Sequence, residues 1–253
     1  MKNQMKTASE VKNSNRTRTL AHETRKNKQW LSMLVIAVFV ISTAFTSCGG
    51  GSGSGGSGGK SSGKIMMTTE ASGGEILLVG SGIATVDWGD GSEKVSLTLN
   101  ESNSNYYGLY GIFGVRFEHT YPNATIRTIT INGDNITTLG IGLPVTSLDV
   151  SKNTELTELA CFWGGLTSLD VSKNTALTVL GCQNNQLTNL DVSKNTALTI
   201  LNCRNNQFSG SALNALFGTL HNNAGDKYII MDNNPGASDC DRSIAERKGW
   251  TFQ

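Results

Sequence analysis

Residues 166–186 read LTSLDVSKNTALTVLGCQNNQ, and residues 187–207 read LTNLDVSKNTALTILNCRNNQ. The two stretches differ only at 168/189, 179/200, 181/202 and 183/204. A third copy, VTSLDVSKNTELTELACFWGG, occupies 145–165 with its last residues diverged. Near-identity at a fixed short period leaves few folds open. Such a unit cannot bury its apolar side chains alone, so copies must stack and share one continuous core.

Each unit supplies one short parallel strand, and alternation across a strand sends Leu and Cys inward. Leu177-x-x-Leu180-x-Cys182-x-x-Asn185-x-Leu187 resembles the leucine-rich-repeat pattern, with Cys in one apolar slot. The next copy gives Leu198, Leu201, Cys203, Asn206 and Phe208; the first gives Leu156, Leu159, Cys161 and Leu166, with Gly164 in place of Asn. Ile136-x-x-Leu139-x-Ile141 suits a leading strand that joins the repeats to the segment before them. After Phe208 the period breaks. Residues 211–221 have helical spacing with Ser209 or Ser211 as cap, Tyr228 to Asn234 restores the pattern, a second helical stretch falls near 238–248, and Trp250-Thr251-Phe252 suits a final strand. This atypical segment, from about 209, is expected to cap the open end of the core.

The repeated Asn residues are expected to satisfy backbone groups where each coil turns. Asp149, Asp170 and Asp191 form one exposed row, and Lys152, Lys173 and Lys194 another; both read as solubility and weak charge pairing. Cys161, Cys182 and Cys203 read as buried small hydrophobes. Neither His nor a C-x-x-C spacing accompanies them, so no metal is expected.

From Ile65 to Asn132 short β-prone runs alternate with turn signals: IMMTT, EILLVG, ATVDW, VSLTL, VRFEH and IRTITI. They predict a small antiparallel sandwich, with residues 100–114 as a long loop. Asp87-Trp88-Gly89-Asp90-Gly91-Ser92 and Phe117-Glu118-His119-Thr120-Tyr121 resemble the W-G-D-G and H-T-Y signatures of PKD-type domains. That resemblance implies an extracellular spacer or adhesion module. Asp90-Gly91 reads as a tight turn. A calcium site on Asp87, Asp90 and Glu93 is the alternative, against which their spacing counts.

The first 47 residues carry eight Lys/Arg and two Asp/Glu, whereas residues 48–253 carry 13 and 18. The basic character belongs to a leader, and the body offers no basic footprint for nucleic acid. Trp30 to Ser47 is apolar after Arg25, Lys26 and Lys28, which describes an export signal or an uncleaved anchor. Thr46-Ser47-Cys48-Gly49 resembles a lipobox, which implies cleavage before Cys48 and its lipidation. Residues 49–63, almost wholly Gly and Ser, form a flexible tether of roughly 20 Å.

The expected fold class is therefore mainly β: signal 1–47, anchored linker 48–63, PKD- or Ig-like sandwich 64–133, and leucine-rich-repeat solenoid 134–253. Together these parts resemble surface lipoproteins of Gram-negative bacteria, which implies the outer membrane, facing the periplasm or the exterior. Catalysis is not expected, because the body holds only His119 and His221, in different domains, and lacks a nucleophile elbow or zinc motif. No cofactor is expected. In leucine-rich repeats the non-leucine strand positions form the concave face. The candidate binding residues are Glu158, Phe162, Trp163, Val179, Gln183, Ile200, Asn202, Arg204, Tyr228, Ile230 and Asp232. Several are apolar or aromatic, as at interaction patches. The expected ligand is a protein. A polysaccharide, held on Phe162, Trp163 and Tyr228 as an exposed platform, is the alternative, and a mainly structural surface protein is a third.

Overall fold

The computed structural model describes residues 63–100, 106–107 and 113–253. The leader, Cys48 and most of the Gly/Ser tether lie outside the described residues. So does most of the loop expected at 100–114, in which β4 (Tyr106–Tyr107) pairs with β5 (Phe113–Thr120).

One long strand organises the first half. The sequence suggests two runs broken at Gly80-Ser81-Gly82, but β2 (Gly73–Asp87) is a single strand that changes sheets there. Its register shifts between Val79 and Gly80, and Gly82 takes φ +81. A Cβ at Gly80 would lie 2.0 Å from the Asn135 carbonyl oxygen, so only glycine permits this approach. Beyond the bend β2 pairs antiparallel with β3 (Val95–Leu99) and β6 (Arg127–Asn132). Strand β6 pairs with β1 (Lys64–Thr69), and β1 with β8 (Ser147–Asp149). Before the bend β2 pairs with β5 on one side and β7 (Asn135–Gly142) on the other.

Strand β7 also pairs parallel with β9 (Glu158–Cys161), the first strand of the solenoid. One sheet of the sandwich thus continues without a break into β10 (Val179–Gly181), β11 (Ile200–Asn202), β12 (Lys227–Ile230) and β13 (Trp250–Phe252), all parallel. The two halves share one core and belong to one compact unit. Ile136, Leu139 and Ile141 on β7 are buried in that core, as a leading strand requires. Leu159 and Cys161, Leu180 and Cys182, Leu201 and Cys203, and Ile229 and Met231 extend it coil by coil.

The repeated polar residues hold the backbone of each coil to its neighbour. Asn185 Nδ2 donates to the carbonyls of Cys161 (2.8 Å) and Cys182 (3.1 Å), while its Oδ1 accepts from Leu166 N–H. Asn206 and Asn234 repeat the arrangement. On the opposite wall Asn174 donates to the Val150 and Asn153 carbonyls and Asn195 to those of Val171 and Asn174, both in the preceding coil. These buried bonds are needed because the turning backbone would otherwise leave polar groups unpaired. Gly164 stands where the first ladder Asn would be. A side chain there would meet the Val145 carbonyl oxygen at 2.7 Å and Asn185 Oδ1 at 2.8 Å, so the first coil dispenses with it.

The aspartate row has a role besides weak charge pairing. Backbone N–H groups of Ser151, Ser172 and Ser193, helped by Lys152, Lys173 and Lys194, hold its three carboxyls low. Asp149, Asp170 and Asp191 each accept from the backbone N–H two residues on, at Ser151, Ser172 and Ser193. They close turns, and among the described residues none forms an ion pair with the lysine row.

The cap opens with α1 (Gly210–Thr219), N-capped by Ser209 and burying Leu213, Leu216 and Phe217. Lys248 donates to the carbonyls of Phe217, Gly218 and Leu220 at its C-terminal end. The second helix, α2, is only Ser243–Glu246. Trp250 is buried and donates its indole N–H to the His221 carbonyl. The last step is 23 residues in register, Tyr228 opposite Thr251, and not the 21 of the repeats.

Candidate functional site

Because the inner side chains fill the core, the alternate positions of β7 and β9–β12 face away from it. They line up in three rows across the sheet. The first runs Thr138, Glu158, Val179, Ile200, Tyr228, and the second Gly140, Ala160, Gly181, Asn202, Ile230. Phe162, Gln183, Arg204 and Asp232 make the third, two residues further along each strand. The rows continue onto the sandwich, with Val79 opposite Thr138, Leu77 opposite Gly140 and Glu75 opposite Gly142.

The first row is half-buried and open at Glu158, Val179, Ile200 and Tyr228. Burial pushes the Glu158 carboxyl above its ordinary pKa and raises that of the Tyr228 phenol. In the second row Asn202 is half-buried, while Ala160, Gly181 and Ile230 are buried. In the third row Arg204 is half-buried and Asp232 exposed.

Four candidate binding residues need correction: Phe162, Gln183 and Ile230 are buried, and Trp163 lies off the strand. Phe162 is only 6% exposed, because Gly181 in the next coil leaves room for its ring. A Cβ on Gly181 would lie 2.4 Å from Phe162 Cε1 and 3.2 Å from Gln183 Oε1. Gln183 is likewise buried, at 5% exposure, and its Oε1 has no hydrogen-bond partner among the described residues. Trp163 lies beyond the strand, at φ 58, with 56% of its surface exposed. Phe162, Trp163 and Tyr228 therefore do not form a common exposed platform.

Leu77 is a member of the face that the sequence did not reveal. It is fully buried, yet it lies outside the core cluster that takes in its neighbours Ile76 and Leu78. An unbroken apolar run, Ile76-Leu77-Leu78-Val79, hides which side each residue serves. Beyond it Arg116 pairs with Glu75 (2.5 Å) and with Glu118, which adds charge of both signs to the face.

The sandwich motifs form a separate packed cluster. Trp88 stacks on His119 (centroids 5.0 Å apart), His119 meets the Tyr121 ring edge-on at 4.6 Å, and the Tyr121 hydroxyl donates to the Trp88 carbonyl (2.9 Å). Burial pushes the Tyr121 phenol up to about 12. Asp90 is bonded to Ser92 and to His119 Nε2 (2.8 Å), which together hold its carboxyl well below the usual range. Asp87 accepts from Gly89 N–H and pairs with Lys94 (3.1 Å). Asp87 and Asp90, two of the three acids considered as calcium ligands, thus serve the turn. Among the described residues no group of three or more His, Cys, Asp or Glu side chains is placed to hold a metal ion.

The cysteine column is buried, and its three thiols are free. Burial pushes Cys161 and Cys203 up to about 12 and Cys182 well above its ordinary value. Such thiols are packing groups and not nucleophiles.

No protein-family model matches the chain, and no curated protein matches it. Among solved structures the chain is similar to the functional domain of InlJ from Listeria monocytogenes, which includes a cysteine ladder. The identity is 34% and the TM-score 0.33, and the match covers 41% of this chain and 21% of that one. The chain thus spans about a fifth of the length of the protein chain it matches.

Proposed function

We propose that this is a non-catalytic lipoprotein of a bacterial cell envelope that binds a protein partner through the outer face of its solenoid sheet, in adhesion or a related surface interaction. Cys48 carries the lipid, the Gly/Ser tether spaces the folded part from the membrane, and the PKD-type sandwich braces the first coil. One observation carries the reading. Of the four positions at which the two near-identical repeats differ, three (179/200, 181/202 and 183/204) fall on this face, and the fourth, 168/189, is exposed elsewhere. Copies that agree throughout the core and the turns, and differ on one face, are what a scaffold presenting a specific surface requires.

The test is a binding screen of the full chain against host matrix proteins and a polysaccharide array, repeated with the face variant Val179→Ser/Ile200→Ser/Tyr228→Ala. A protein hit lost in that variant supports the reading. Hits indifferent to it place binding elsewhere and defeat it. A polysaccharide reading loses Phe162 and keeps the exposed Trp163 and the half-buried Tyr228 as separate rings; a glycan hit lost in Trp163→Ala would favour it. Incorporation of a fatty-acid label, abolished by Cys48→Ala, tests the anchor.

A further inference from the structure

Glu158 is the one anomaly in the first row. At the matching positions the following coils carry Val179, Ile200 and Tyr228, and the strand before carries Thr138. Among the described residues the Glu158 carboxylate has no hydrogen bond and no ion pair, although it is half-buried between Thr138 and Val179. The carboxylate keeps contact with solvent but is partly desolvated, which is unfavourable without a partner, and the sister repeats show that an aliphatic residue fits the same place. A local rule broken at one coil, with no compensation inside the molecule, points to a compensating group from outside.

We propose that Glu158 and the row Val179, Ile200 and Tyr228 form a docking strip for a partner segment that presents a lysine or arginine side chain about 10 Å from an apolar one. This rests on the protein-binding reading of the face and names the chemistry of the partner. The complement to an unpaired carboxylate is a cation, and its desolvated pairing fixes register as well as adding attraction. The third row carries both Arg204 and Asp232, so the cation is assigned by Glu158 in the first row, where no other charge stands. The distance follows from the sheet. Neighbouring strands lie about 4.8 Å apart, which puts Ile200 about 10 Å and Tyr228 about 14 Å from Glu158. The apolar side chains remain half-exposed, so a partner can still bury them.

The test selects a randomised peptide library on the immobilised full chain and measures the enriched peptides against Glu158→Gln and Ile200→Ser. The proposal expects peptides with a Lys or Arg spaced from an apolar residue. They should lose about tenfold or more in affinity, about 1.4 kcal/mol, on Glu158→Gln. Replacing the peptide's basic residue by norleucine should cause the same loss, and the two changes together no more than either alone. Glu158→Val should melt no lower than the parent, so that lost binding is not lost folding. Peptides without a basic residue, or indifferent to Glu158→Gln, overturn the cation assignment, while their loss on Ile200→Ser would leave the face itself as a binding surface. Peptides indifferent to both variants, or no enrichment, overturn the strip and the face reading together.

Discussion

Asn206 donates its side-chain amide to the carbonyl of Cys182, one coil back, at 2.9 Å. The same amide reaches Cys203 in its own coil at 3.0 Å, and Oδ1 accepts from Leu187 N–H. One buried side chain thus ties two coils together where each leaves the sheet. Asn206→Ala strands the buried Leu187 N–H, at roughly 1–3 kcal/mol, while the Cys182 and Cys203 carbonyls each lose one of two donors and keep Asn185 and Asn234. A loss of about 2 kcal/mol in urea unfolding is expected. Asn206→Asp should be at least as damaging, since a carboxylate has no N–H to offer those carbonyls. An Asn206→Ala variant within 0.5 kcal/mol of the parent, about the scatter of ordinary surface substitutions, would show that the ladder does not couple the coils.

The sulfur column should be chemically silent in the folded protein. Alkylation needs thiolate, and burial holds Cys161, Cys182 and Cys203 as thiols far above neutral pH. Cys240 is half-buried and reachable. Iodoacetamide at pH 8, followed by peptide mass spectrometry, should label Cys240 in the native state and the three column residues only after denaturation. Native labelling of Cys182 would mean that the coils open locally far more often than their packing implies.

What was legible in the sequence and what was not follow from the same physics. The repeats announce themselves because every inward Leu, Cys and ladder Asn recurs at a fixed offset, and the leading strand shows through Ile136, Leu139 and Ile141. The bend of β2 was hidden: Gly80-Ser81-Gly82 reads as a break between strands, and only the close approach to Asn135 shows that the strand continues. The burial of Phe162 depends on an empty space in another coil, at Gly181. Side-chain alternation places a residue on a face but does not tell whether a neighbour covers it. Leu77 escaped notice for the converse reason, since both sides of its strand are buried.

Acid should weaken the turns before it touches the core. Backbone N–H groups of Ser151, Ser172 and Ser193 hold Asp149, Asp170 and Asp191 below the usual carboxylate range. A pKa lower in the folded state contributes stability above the unfolded value, about 3.9 for Asp, and that contribution is lost as the pH falls through the folded value. Melting temperature should therefore decline below about pH 4. Changing all three to Asn keeps a side-chain oxygen for each turn but removes the titration, so the decline should flatten. An equal decline in parent and variant would assign the acid sensitivity to other groups, among them Asp87 and Asp90.

Trp163 occupies a position where the other coils place asparagine. Its φ of 58 matches 59 at Asn184, 53 at Asn205 and 59 at Asn233. Left-handed backbone costs an ordinary residue roughly 1–2 kcal/mol, and asparagine tolerates it best after glycine. With more than half of the Trp163 surface in solvent, removing the ring forfeits little burial. Trp163→Asn should therefore raise stability by about 1 kcal/mol in urea unfolding, and the reverse change, Asn184→Trp, should lower it. Strain kept at an exposed aromatic residue beside the proposed binding face is a cost that recognition would explain. Measured together, a more stable Trp163→Asn with weakened partner binding would assign that cost to recognition. A less stable variant would show instead that the ring braces the first coil.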